Sequence, residues 1–199
     1  MPTRTRKVRA RPALSGLRPV ATEADLHAAA RRRFMAGERI SVEELAVELG
    51  ISRATAYRWA GNADLLAAHV VASLVEDTFA RSVREAKGRG AARIVDATAR
   101  GLRYIAGSRP YQTFIRRDPE RALRIVASKE APVQSRTIAL NQQLIEEEMR
   151  SGALSLPVDA HTMAYALVRL GESFLYADVI AGEKPDLDKA VEILRLMLR

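Results

Sequence analysis

Residues 41–59, SVEELAVELGISRATAYRW, constrain the fold more than any other stretch of the chain. Ser41 stands three residues before Glu44, the spacing of a capping box, so a helix opens there and Gly50 closes it. Ser52 is placed to cap a second short helix that runs to about Trp59. Two short capped helices around Leu49-Gly50-Ile51 make a helix-turn-helix: Leu45 and Ala46 face inward, Gly50 takes the left-handed backbone of the turn, and Ile51 fills the angle. The second helix then stands proud of the surface and fits a DNA major groove roughly 12 Å wide.

The residues on that helix divide by chemistry. Arg53 and Arg58 suit bidentate contacts to guanine O6 and N7. Thr55 and Tyr57 offer hydroxyls for phosphates, and Ala54 is short enough to admit the backbone or touch a thymine methyl. Ser41 and Ser52 sit at helix starts, where amide groups favour anions. Trp59 completes the expected DNA-binding set.

Charge is distributed to match. The chain carries 32 Lys and Arg against 24 Asp and Glu, and the first twenty residues hold Arg4, Arg6, Lys7, Arg9, Arg11 and Arg18 with no acid. Residues 1–20 read as a basic, flexible arm suited to phosphates or a minor groove.

The rest of the chain has no hairpin signals and is rich in Ala, Leu, Arg and Glu, so the expected class is all-α. Caps and breakers predict helices over 22–36, 41–49, 52–59, 62–88, 91–106, 109–116, 118–128, 132–151, 158–181 and 186–198. The expected organisation is an arm over 1–20, a helix-turn-helix DNA-binding domain over 21–61, and a larger helical effector-binding and dimerisation domain over 62–199. A hydrophobic content of 48% suffices for a core. The absence of cysteine excludes disulfides, thiolate zinc sites, cysteine nucleophiles and iron–sulfur clusters, and suits a cytoplasmic protein. No apolar run approaches roughly 18 residues, and the N-terminus lacks a signal-peptide core, so neither membrane insertion nor export is expected.

With these features in view, Ile40–Leu66 resembles the DNA-binding domain of TetR-family transcriptional regulators, with Thr55, Tyr57, Gly61 and Leu66 in the family's places. Ala60 and Ala63 stand where many relatives carry Phe and Lys, and Trp59 offers a substitute aromatic ring. The stretches YQTFIRRDPERALRIV and VRLGESFLYADVIAGEKPDL are similar to the QsdR-type branch, regulators associated with breakdown of quorum-sensing lactones. The resemblance implies an operator-binding homodimer, a repressor released by a small effector, and a lactone or its hydrolysis product as that effector.

The C-terminal part supports such a reading on its own terms. Leu187, Ala190, Val191, Leu194, Met197 and Leu198 recur at helical spacing, and residues 158–181 are apolar around most of their circumference, which calls for cover such as a second subunit. Tyr165, Arg169, Glu172, Ser173 and Tyr176 form a polar stripe on one side of the penultimate helix. With Tyr104, Tyr111, Phe114 and Asn141 from other helices, Arg169, Glu172, Ser173 and Tyr176 are the candidate ligand-binding residues for a small, partly apolar molecule. The same apolar surface would alternatively dock a protein partner.

Enzyme chemistry is not expected. His27, His69 and His161 lie on separate helices, Gly88-Arg89-Gly90 is too short for a phosphate loop, and no serine sits in a nucleophile elbow. Glu146-Glu147-Glu148 reads as a solvated face. No catalytic residue, metal or cofactor is assigned.

Overall fold

Capping chemistry sets where the helices begin. In the computed structural model, which describes residues 21–127 and 132–199, Thr22, Ser41, Ser52, Asn62 and Asp159 each place a side-chain oxygen on the backbone N–H three residues on. The helices are α1 (Glu23–Met35), α2 (Val42–Leu49), α3 (Arg53–Ala60), α4 (Ala63–Glu85), α5 (Ala91–Ala106), α6 (Arg109–Arg117), α7 (Pro119–Ala127), α8 (Pro132–Arg150), α9 (Ala160–Leu175), α10 (Ala177–Ile180) and α11 (Leu187–Met197). The described residues contain no strand. The expected basic arm lies outside them.

The chain differs from expectation in the penultimate helix. Residues 158–181 do not form one helix: α9 ends at Leu175, Tyr176 leaves the α region at φ −106° and ψ 16°, and α10 is a single turn. No Gly or Pro marks this break. Tyr176 is instead held from outside the helix, its hydroxyl 2.5 Å from that of Tyr111 on α6.

Two apolar clusters hold the fold. One joins Leu26, Leu45, Leu66 and many alanines of α1–α4 to Tyr111, Ile115, Ile125 and Tyr176, so the core beneath the first three helices continues under α6 and α7. The other packs Ile94, Leu102, Ile145, Leu167 and Leu194 between α5, α8, α9 and α11. Helix α4 serves both: Leu66, Val70 and Val71 belong to the first cluster, while Phe79 and Val83 lie against the second. At 23 residues it is roughly 35 Å long, enough to connect the two.

The acidic run is also unlike its expected form. Glu148 is 5% exposed, accepts the Gly90 N–H at 2.5 Å and pairs with Arg93, so it fastens α8 to the start of α5. Burial opposes the charge of Glu148, but Arg93 and the Gly90 N–H outweigh it and hold the carboxyl below its usual range.

Candidate functional site

Helices α2 and α3 meet through a tight, fully bonded turn. Gly50 adopts φ 66° and ψ 30°, the N–H of Ile51 reaches the Ala46 carbonyl at 3.0 Å, and the N–H of Gly50 reaches the Val47 carbonyl at 3.2 Å. This is a Schellman closure, which leaves Ile51 packed against the core and lets Ser52 start α3 immediately. The inward face of α3 is Ala56 and Ala60, both buried, so the helix lies close against its neighbours.

The outward face contains the expected readers. Ser52, Arg53, Ala54, Tyr57 and Arg58 are exposed, Thr55 is half-buried, and neither Arg53 nor Arg58 takes part in an ion pair among the described residues. Trp59 is half-buried and packs on the apolar cluster, so its ring faces the core side of the helix. Ser52 Oγ accepts the Thr55 N–H at 3.1 Å, and Ser41 Oγ accepts the Glu44 N–H at 3.3 Å. Sequence spacing gave no sign of one further residue. Glu43 accepts a hydrogen bond from the Tyr57 hydroxyl and another from Ser41 Oγ at 3.2 Å, gathering two expected phosphate contacts around one carboxylate. The Tyr57 bond lowers the Glu43 carboxyl and raises the phenol of Tyr57.

Arginines lock this head in place. Arg33 pairs with Glu44 and Glu48, Arg32 bonds Glu48 at 2.9 Å, and Arg31 reaches Ser73 Oγ at 2.8 Å and Asp77 at 2.5 Å. Each exposed pair contributes roughly 0–1 kcal/mol, but together they fix α1 against α2 and α4.

A cavity of about 100 Å³ lies between α4, α5, α8 and α9. The structure separates the eight expected ligand residues. Tyr111, Asn141, Glu172 and Tyr176 line this cavity, whereas Tyr104, Phe114, Arg169 and Ser173 do not. Tyr104 donates to Glu85 beneath the Arg81 guanidinium, which lies 4.2 Å from its ring centre. Phe114 lines a second cleft of about 340 Å³, between the α1–α2 connection and α6–α7. Arg169 and Ser173 are exposed, with Arg169 bonded to Glu172 at 2.8 Å and the Ser173 hydroxyl to the Arg169 carbonyl at 3.0 Å. Thr78, Thr98 and Thr137 are cavity residues that the sequence reading missed. Burial raises the carboxyl of Glu172 and raises both tyrosine phenols of the 111–176 pair.

Helix α6 links cavity and head. The Tyr111 ring lies 6.2 Å from that of Phe114, which lies 5.4 Å from Phe34 on α1, and Arg117 donates to the Gly37 carbonyl beyond the end of α1. No described helix is long and apolar enough to cross a membrane.

A family model described as tetracyclin repressor-like, C-terminal domain, matches residues 89–199. The structure of the transcriptional repressor QsdR of the TetR family from R. erythropolis has a TM-score of 0.84 at 26% identity, covering 88% of this chain and 93% of that one. A solved protein from Pseudomonas aeruginosa PAO1 shares the fold at TM-score 0.51 and 16% identity, over 92% of this chain and 91% of its own. No curated protein matches the chain.

Proposed function

The chain belongs to the TetR family of transcriptional regulators, and from that membership we propose that it acts as a homodimeric repressor released from its operator by a small, partly apolar effector. The observation that carries the reading is the outward face of α3, where Arg53, Ala54 and Arg58 are exposed and, among the described residues, neither arginine is in an ion pair, while the caps and Gly50 fix the helix around them. Arg53 and Arg58 read guanines, and Ser41, Ser52, Thr55 and Tyr57 hold phosphates. Phosphate contact by Ser41 and Tyr57 requires their hydroxyls to leave Glu43.

Dimerisation uses the outer face of α9. Tyr165 is half-exposed, and Ala166, Leu170 and Phe174 are only partly covered at helical spacing beside it, an apolar strip that a second copy would bury. Two copies of α3 would then meet half-sites roughly 34–36 Å apart or a multiple of it. Effector entering the cavity shifts α4 and, through Tyr111, α6. Both contact the head, so the separation of the recognition helices changes. A coupling of about 1–3 kcal/mol alters operator affinity roughly 5- to 150-fold.

The test is binding to the promoter beside the protein's own gene at several salt concentrations. Affinity should fall steeply as salt rises, and Arg53→Ala should relax preference at one base pair at a cost of about 1–3 kcal/mol. A flat salt response, or an unchanged base preference in Arg53→Ala and Arg58→Ala alike, would overturn the reading.

A further inference from the structure

Protons are unevenly supplied around the cavity between α4, α5, α8 and α9. Thr78, Thr98 and Thr137 all line it, and each hydroxyl lies 2.7–2.9 Å from a carbonyl of its own helix, at Leu74, Ile94 and Val133 respectively. A carbonyl only accepts, so each threonine has committed its proton and presents lone pairs. Asn141 spends one of its two amide hydrogens on the Thr137 carbonyl at 2.8 Å, which leaves its Oδ1 as an acceptor and its second N–H as a donor. Glu172 adds a carboxylate that already pairs with Arg169 at 2.8 Å and accepts from Gln134 at 3.0 Å. Against these acceptors stand two hydrogens, the second of the Asn141 amide and one tyrosine proton: in the Tyr111–Tyr176 contact one hydroxyl donates and the other keeps its hydrogen. Among the described residues no Lys, Arg or His lines the cavity.

A ligand with acceptors alone gives no hydrogen to the spare lone pairs of the threonines and Asn141, and a carboxylate lies beside Glu172 with no cation among the described lining residues. An N–H beside a carbonyl serves both sides, giving its hydrogen to the acceptors and taking the free tyrosine proton. Size narrows the class further, because about 100 Å³ is less than the roughly 150 Å³ apolar cavity known to hold benzene. We propose that the cavity selects compact, neutral N–H-bearing ligands of the amide or lactam class over lactones, and rejects carboxylates. The inference rests on the effector-binding reading above and specifies its ligand.

The decisive probes are γ-butyrolactam and γ-butyrolactone, which differ by an N–H in place of a ring oxygen, together with the opened acid 4-hydroxybutyrate. Binding to the full chain is measured by ligand-observed NMR titration. The lactam should bind roughly tenfold more tightly than the lactone, with the acid weakest. Glu172→Gln should narrow the gap between lactam and acid, and Thr98→Val should narrow that between lactam and lactone. Equal binding of lactam and lactone, or tightest binding of the acid, overturns the donor rule while leaving effector binding intact. Preferences untouched by both substitutions place the ligand elsewhere and also overturn it. If none of the three binds, this inference falls, and the effector-binding reading is judged on release of the operator by other small, partly apolar molecules.

Discussion

The Tyr111–Tyr176 pair gives the sharpest test of how the body is held together. The two residues are 8% and 7% exposed, and their hydroxyls satisfy one another across the junction of α6 with the end of α9. Tyr176→Phe removes one hydroxyl and takes from the other its one observed partner, at a cost of about 1–3 kcal/mol. Tyr111→Phe should cost a similar amount. Removing both leaves no orphan, so the double variant should lie within about 1 kcal/mol of the parent, and the two losses should cancel rather than add. Urea unfolding followed by far-ultraviolet circular dichroism reads these differences, and thermal midpoints should move by roughly 2–4 °C per kcal/mol in a chain of this size. Alkaline pH offers a second readout. Burial raises both phenols, so the folded chain keeps protons that the unfolded chain releases above about pH 10, and stability falls as pH rises from there. The double Phe variant should lose that part of the slope. Additive losses in the cycle would show that each hydroxyl has its own partner, and would refute the pairing.

Two further outcomes follow from local geometry. A Cβ on Gly90 would lie 2.1 Å from the Ala153 carbonyl oxygen at a φ of +58°, whereas one on Gly50 meets nothing within 4 Å at φ +66°. Gly50→Ala should therefore cost about 1–2 kcal/mol, the left-handed penalty alone, and Gly90→Ala about 3 kcal/mol or more; equal losses by urea unfolding would contradict the packing around α5. His69 lies edge-on to His27 with ring centres 5.7 Å apart, and burial, then the charges of His27 and Arg136, lower its pKa against a small opposing effect of Glu23. Below about pH 6.5 the unfolded chain takes up a proton that folded His69 resists, so stability should fall as pH drops; His69→Gln should flatten that decline, and an unchanged profile would sink the assignment.

Local signals were enough for most helix starts. Thr22, Ser41 and Ser52 cap where their spacing predicts, and Gly50 turns the chain where the short helices meet. The break at Tyr176 was illegible because no Gly or Pro marks it and the partner of the Tyr176 hydroxyl lies on another helix, distant in sequence. The polar stripe on α9 failed for a related reason. Spacing places Arg169, Glu172 and Ser173 on one side, but not which part of that side faces the core. The buried line is Ala164, Val168, Gly171 and Leu175, so Glu172 lies at its edge while Arg169 and Ser173 turn outward. Glu148 misled because a run of like charges conceals that one member reaches across to Arg93 and Gly90. The threonines of the cavity carry no pattern of their own, since their role depends on which helices converge around them.

The shared core under α1–α4, α6 and α7 limits what can be exchanged. A reader built on it is no cassette: grafted onto a foreign trunk, it would lose the seat that Ile115, Ile125 and Tyr111 provide and expose a shallow, alanine-rich underside. On the function proposed above, new operator preferences would arise by changing letters on the solvent side of α3. The helices around the cavity would be free to drift, so long as the surfaces that seat α1–α3 keep their shape.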